Sequence, residues 1–182
     1  MTKRITLAVT GSISAYKAAD LTSQLTKLGF AVTVLMTASA TRFITPLTLQ
    51  VLSKNLVHLD IMEEPQPDKV NHIELAKQTD LFIVAPASAN TIAKLANGLA
   101  DDIVSCTALA LSLDTPKLVA PAMNTQMYIN PITQNNLEKL KKYGYREILP
   151  REALLACGDY GPGALAELSV ITNTIMEIFN EY

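Results

Sequence analysis

The sequence predicts an α/β fold, a Rossmann-like doubly wound parallel sheet with helices on both faces, in one domain over residues 1–182. Three observations carry this prediction. Short apolar, β-branched runs alternate with amphipathic stretches along the chain, as in repeated strand–crossover–strand units. Runs such as Leu81-Phe82-Ile83-Val84 are apolar at every position, so both sides of those strands need cover. Gly29 and Gly144 follow helical stretches at the point where a C-terminal cap belongs.

The first strand is predicted over 5–10, and the amphipathic stretch 14–28 follows as a helix that Gly29 closes. Residues 31–36 form the second strand, and 40–53 a helix interrupted near Pro46. A third strand over 56–60 leads into a helix over 73–78, then the apolar strand 81–85 and a helix over 90–96. A helix over 102–113 precedes the fifth strand, 117–121. The remaining elements are a helix over 131–143, a strand over 146–149 and a final helix over 168–180. Strand order 3-2-1-4-5-6 is expected. Two stretches, 63–68 and 154–163, read as mobile loops because charge, proline and glycine concentrate there.

Composition narrows the function. Hydrophobic residues make up 49% and charged residues 18%, against roughly 25% charged in ordinary domains, so buried subunit interfaces are expected. The longest apolar runs, 81–87 and 118–123, fall far short of the ~18 residues that would span a bilayer, which predicts no membrane insertion. Net charge is −2, and the one basic cluster is Lys139, Lys141 and Lys142, too little to neutralise a nucleic-acid backbone. Met1-Thr2-Lys3-Arg4 leads into no apolar signal segment, so a cytoplasmic protein is expected. Cys106 and Cys157 form no CxxC and have no histidine pair nearby, which predicts neither a metal site nor a disulfide.

Ligands of such sheets bind beyond the carboxyl ends of the strands, which selects four segments. In Thr10-Gly11-Ser12-Ile13-Ser14, Gly11 permits close approach and the helix start offers N–H groups to a phosphate; a serine-capped turn is the alternative. In Met36-Thr37-Ala38-Ser39, no acid stands where a dinucleotide site would need one for a ribose, so Thr37 and Ser39 suit phosphate or ribityl contacts, or Ser39 caps a helix. Small residues in Ala85-Pro86-Ala87-Ser88-Ala89-Asn90-Thr91 admit a flat ring, with polar groups for its edge. In Ala120-Pro121-Ala122-Met123-Asn124, Asn124 suits a carboxylate or amide and Met123 an apolar surface; a core methionine and a turn asparagine explain the same spacing.

Pro86-Ala87-Ser88-Ala89-Asn90-Thr91 and Pro121-Ala122-Met123-Asn124-Thr125-Gln126-Met127-Tyr128 resemble the two long motifs of the homo-oligomeric flavin-containing cysteine decarboxylases. Gly11 to Lys17, His72 and Ala156-Cys157-Gly158-Asp159-Tyr160-Gly161-Pro162-Gly163 extend the resemblance over the whole chain. The resemblance implies FMN as cofactor and decarboxylation of 4′-phosphopantothenoylcysteine to 4′-phosphopantetheine in coenzyme A biosynthesis. The acylated cysteine nitrogen cannot form a Schiff base, so transient oxidation of the thiol carbon to a thioaldehyde supplies the electron sink. Loss of CO₂ then gives an enethiol, which is reduced again.

By resemblance, His72 is the catalytic base and Cys157 the proton donor of the reductive half, while Asn124 and Met123 contact substrate. Gly11, Ser12, Ile13, Thr37, Ser39, Ser88, Ala89, Asn90, Thr91 and Ala122 surround FMN. His58 and Cys106 are expected to be structural, Cys106 as a core residue. Each flavin is implied to lie between neighbouring subunits of a homotrimer, with a homododecamer as the larger assembly, and the upstream synthetase to be a separate polypeptide. This chain departs from the family pattern at two places: Tyr128 stands for the usual tryptophan, and Gly163 is followed by Ala164-Leu165 where Arg-Met is usual, which removes a guanidinium. An oxidative peptidyl-cysteine decarboxylase is the alternative enzyme, which the Ala156-Cys157-Gly158-Asp159 setting disfavours, and a flavin-binding regulatory subunit is the alternative outside catalysis.

Overall fold

The computed structural model describes residues 2–64 and 67–180, so Pro65 and Gln66 of the expected loop over 63–68 lie outside the described residues. Six parallel strands form the main sheet: β1 (Arg4–Val9), β2 (Ala31–Met36), β3 (Val57–His58), β4 (Leu81–Ala87), β5 (Lys117–Pro121) and β6 (Tyr145–Glu147). Their order, β3-β2-β1-β4-β5-β6, is the one the sequence predicts. Among the described residues, eight helices accompany the sheet: α1 (Lys17–Lys27), α2 (Pro46–Ser53), α3 (Asn71–Lys77), α4 (Ala89–Asn97), α5 (Ile103–Ala110), α6 (Thr125–Ile129), α7 (Pro131–Lys142) and α8 (Leu168–Asn180). Among the described residues, no helix is long and apolar enough to cross a membrane.

Strand alternation divides the core in two. Ile5, Leu7 and Val9 of β1 and Leu81 and Ile83 of β4 pack with Leu21 and Leu25 of α1, Leu49 of α2 and Ile171 and Ile175 of α8. On the other face, Ala8, Phe82, Val84 and Val119 meet Leu75 of α3, Ile92 of α4, Ile103 and Val104 of α5 and Leu137 and Leu140 of α7. Each fully buried side chain of this size contributes about 1.5–3 kcal/mol, so neither face is dispensable.

Several ends differ from the sequence reading for local reasons. The helix expected from residue 14 opens as a 3-10 turn, Ile13–Tyr16, capped by Ser12, before α1 begins. The interruption near Pro46 is real: a 3-10 turn, Ala40–Arg42, precedes α2, with Pro46 in its first turn. α5 stops at Ala110 rather than 113, because Leu111 is extended and the chain must turn into β5. Gly29 and Gly144 adopt φ of 90° and 85°, as the cap positions require.

The largest correction concerns residues 154–163. Where the sequence predicts a mobile loop, the chain forms an antiparallel ribbon of β7 (Arg151–Leu154) and β8 (Tyr160–Ala164) joined by a turn over 155–159, with Leu155 N–H donating to Asp159 O at 2.8 Å across it. Gly158, at φ 90°, makes that turn possible.

Candidate active site

Strand order reverses between β1 and β4, and hydrogen bonds across that switch point tie the strand-end loops together. Thr10 Oγ1 donates to Pro86 O at 2.7 Å and accepts from Ser88 N–H at 2.9 Å, while Ala122 N–H donates to Ala87 O at 3.1 Å. Gly11 is required by a close approach: a Cβ there would lie 2.5 Å from Ser39 Cβ.

Beyond these loops lies a cleft of about 450 Å³. Gly11, Ser12, Ser88, Ala89, Ala122 and Met123 line one part of it, and Ile13, Tyr16, Phe43 and Met127 bring large apolar side chains. These last four are each about half exposed, an apolar surface with no protein cover among the described residues. Small residues beside uncovered apolar ones suit a flat ring, so the cleft fits a flavin. Among the described residues, its charged lining residues are Lys17 and Arg151, both cationic, and no carboxylate lines it.

The β7–β8 ribbon forms another wall, contributing Arg151, Leu154, Cys157, Gly163 and Ala164. Met123 N–H donates to Gly163 O at 2.9 Å, and a Cβ on Gly163 would collide with the Met123 carbonyl, so only glycine lets the ribbon seat there. The ribbon thereby meets Asn124, the cap of α6, a short helix that the sequence reading did not include. Asn124 Oδ1 accepts from Gln126 N–H at 2.8 Å, which turns Nδ2 toward the ribbon. That nitrogen donates to Asp159 Oδ2 at 2.9 Å and to Cys157 Sγ at 3.2 Å, and the thiol in turn donates to Asp159 Oδ2 at 3.3 Å. Asparagine meets both demands with separate atoms, an oxygen that accepts from the helix and an N–H₂ group that donates to an anion.

The predicted residues therefore divide into two groups. Gly11, Ser12, Ile13, Ser88, Ala89, Ala122, Met123, Asn124 and Cys157 share the cleft. Thr37, Ser39, Asn90 and Thr91 do not line it. Thr37 Oγ1 instead accepts from Ala40 N–H at 3.3 Å, and Thr91 is buried with its N–H on Ser88 Oγ at 3.3 Å. Ser39 makes no side-chain cap bond. His72, in the first turn of α3, also lies outside the cleft of its own chain, and its Nδ1 is buried without a partner among the described residues. His58 has a structural setting, with Nδ1 3.2 Å from Asn71 Nδ2, and burial pushes its pKa down despite nearby Glu63. Cys106 is half-buried rather than in the core, since α5 turns it toward Ala100 O at 3.6 Å; burial raises its thiol pKa.

The flavoprotein family profile matches residues 1–180 of this chain. It belongs to that family. The chain is 64% identical, over 97% of its length and 99% of the other's, to a probable phosphopantothenoylcysteine decarboxylase of Streptococcus mutans. It is 45% identical over 98% of its length to the coenzyme A biosynthesis bifunctional protein CoaBC of Bacillus subtilis, of which it spans 44%. Among solved structures, a cysteine-to-serine mutant of PPC decarboxylase complexed with pantothenoylaminoethenethiol superposes with a TM-score of 0.89 at 36% identity, over 99% of this chain and all of that one. The FMN binding protein AtHal3 gives 0.86 at 36% identity, over all of this chain and 99% of that one.

Within the family frame, Tyr128 keeps the aromatic surface and adds an anchored tip. Its hydroxyl donates to Glu147 Oε1 at 2.9 Å, while Lys141 Nζ stands 3.3 Å from Glu147 Oε2. Burial, and then the Glu147 carboxylate, push the phenol up to about 12, so it stays protonated as a donor. Among the residues at the site to which the sequence reading gave no role are Asp159, quoted only as part of its motif, and Arg151 and Phe43, which belong to no motif.

Proposed function

We propose that this chain is an FMN-dependent decarboxylase converting 4′-phosphopantothenoylcysteine to 4′-phosphopantetheine for coenzyme A biosynthesis. The observation that carries the reading is Asn124, whose amide is fixed by the α6 cap so that its N–H group faces a thiol and a carboxylate. Asp159 satisfies that donor, and a substrate carboxylate would take its place and be held for loss as CO₂. FMN would be held by Gly11 to Ile13, Ser88, Ala89 and Ala122, with Thr37, Ser39, Asn90 and Thr91 outside the cleft lining, and would supply reversible two-electron oxidation of the thiol-bearing carbon.

The remaining work falls to side chains. Cys157, exposed on the ribbon turn, delivers a proton to the enethiol carbon, and a chain lacking such a donor would stop at the oxidised product. This thiol beside Asn124 favours the reductive enzyme over an oxidative peptidyl-cysteine decarboxylase. Met123 packs on the substrate, and the ribbon excludes water. His72 acts as the base. Because it lies outside the cleft of its own chain, a neighbouring copy in a trimer supplies it, which accords with the apolar side chains left uncovered around the cleft. A dodecamer is the larger assembly proposed, in the cytoplasm, with a synthetase as the partner enzyme upstream.

FMN-loaded protein is expected to be yellow and to release CO₂ from 4′-phosphopantothenoylcysteine. His72→Asn is expected to keep the flavin absorbance and lose CO₂ release by at least about 10²-fold, the scale of a lost general base. Full turnover in that variant would remove His72 from the mechanism.

A further inference from the structure

An arginine stands across the ribbon from Ala164. Arg151 on β7 is the Cα partner of Ala164 on β8, and both residues line the cleft. Its Nε donates to Leu165 O at 3.2 Å and stands 3.1 Å from Glu167 Oε1, so the side chain is held at its neck. Its two terminal nitrogens make no hydrogen bond to the described residues. A guanidinium fixed in this way, with four N–H groups left over, is pre-organised for a second anion, and the fork geometry matches a phosphate.

Position along the ribbon indicates which anion. Cys157 and Asn124 mark the end where the cysteine reacts, in and beside the turn. Arg151 starts the opposite end, and the four residues of β7 span about 10 Å at the usual strand rise. A substrate whose carboxylate lies at Asn124 and whose chain runs along the ribbon brings its far terminus to Arg151. The Gly11–Ser14 turn and Lys17, which also line the cleft, would serve the cofactor's phosphate.

We propose that Arg151 binds the phosphate monoester of the substrate and selects phosphorylated over unphosphorylated acyl-cysteine. This rests on the decarboxylase reading above. Glu167 acts as a positioning residue that keeps the Arg151 fork turned out from the ribbon.

The test compares FMN-loaded wild type, Arg151→Met and Arg151→Lys, using 4′-phosphopantothenoylcysteine and pantothenoylcysteine as paired substrates. The wild type is expected to prefer the phosphorylated compound in kcat/KM. Arg151→Met is expected to shrink that preference by about 10–100-fold, and Arg151→Lys to restore part of it. The flavin Kd, followed by fluorescence quenching, is expected to stay unchanged. Equal loss on both substrates would make Arg151 merely structural, and a raised flavin Kd with the preference intact would make it a cofactor contact; either result overturns the proposal. If the wild type releases CO₂ from neither compound, the decarboxylase reading fails by itself. Calorimetry of 4′-phosphopantetheine against pantetheine, in wild type and Arg151→Met, then still decides: a phosphate preference abolished by the substitution upholds Arg151, and any other result rejects it.

Discussion

Asn124, Cys157 and Asp159 form one hydrogen-bonded unit in which each side chain limits the others. The thiol contacts an amide donor and a carboxylate acceptor, so its proton has a defined direction. Replacing Cys157 by serine keeps a hydroxyl donor of similar size but a far weaker acid. The expected outcome is CO₂ release followed by accumulation of the unsaturated enethiol, read by mass spectrometry; normal phosphopantetheine output would exclude Cys157 as the donor. Asn124 and Cys157 were legible because they sit in long motifs with distinctive neighbours. Asp159 shares its motif, yet nothing in a sequence says that its carboxylate folds back onto an amide 35 positions earlier. Arg151 carried no signal beyond its charge, and only the strand pairing reveals that it answers the alanine at 164. His72, the expected base, does not line the cleft of its own chain, and a linear pattern does not say whether a side chain completes its own cleft or another copy's.

At the scale of elements, the central strands β1, β4 and β5 were legible because buried strands read as apolar runs, and the ends of α1 and α7 because Gly29 and Gly144 mark them. The β7–β8 ribbon was not, since Gly158, Gly161, Pro162 and Gly163 give the composition of a loop while serving a turn and a close approach. Helix α6 is one turn of five residues, too short for any periodicity to register. Caps give the clearest energetic prediction. Asp102 caps α5 through a reciprocal pair of bonds with Ser105, and Lys94 Nζ stands 2.8 Å from its Oδ2. Burial alone would raise this carboxyl, but the bonds from Lys94 and Ser105 outweigh it and hold the pKa below the usual range. A depressed folded pKa stabilises fully above the unfolded value and is lost as pH falls through the folded one. Asp102→Asn keeps a cap but removes the charge, so it is expected to cost roughly 0.5–1.5 kcal/mol near pH 7, a gap that closes below about pH 4 in urea melts. A gap independent of pH would assign the loss to something other than the Lys94 pair.

At the scale of the whole molecule, the proposed sharing of one site between two copies predicts how variants complement each other. Co-assembly of His72→Asn with Asn124→Ala is expected to restore about a quarter of wild-type sites, because a copy with an intact His72 then faces a copy with an intact Asn124. Mixtures as inactive as either parent would require both residues to act within one chain. The central claim is that the chain removes CO₂ without net oxidation of its substrate. Mass spectrometry of the product made by FMN-loaded protein from 4′-phosphopantothenoylcysteine tests this most directly: the account predicts saturated 4′-phosphopantetheine, lighter than the substrate by one CO₂ and nothing else. Unchanged substrate, or the enethiol as sole end product, would contradict it.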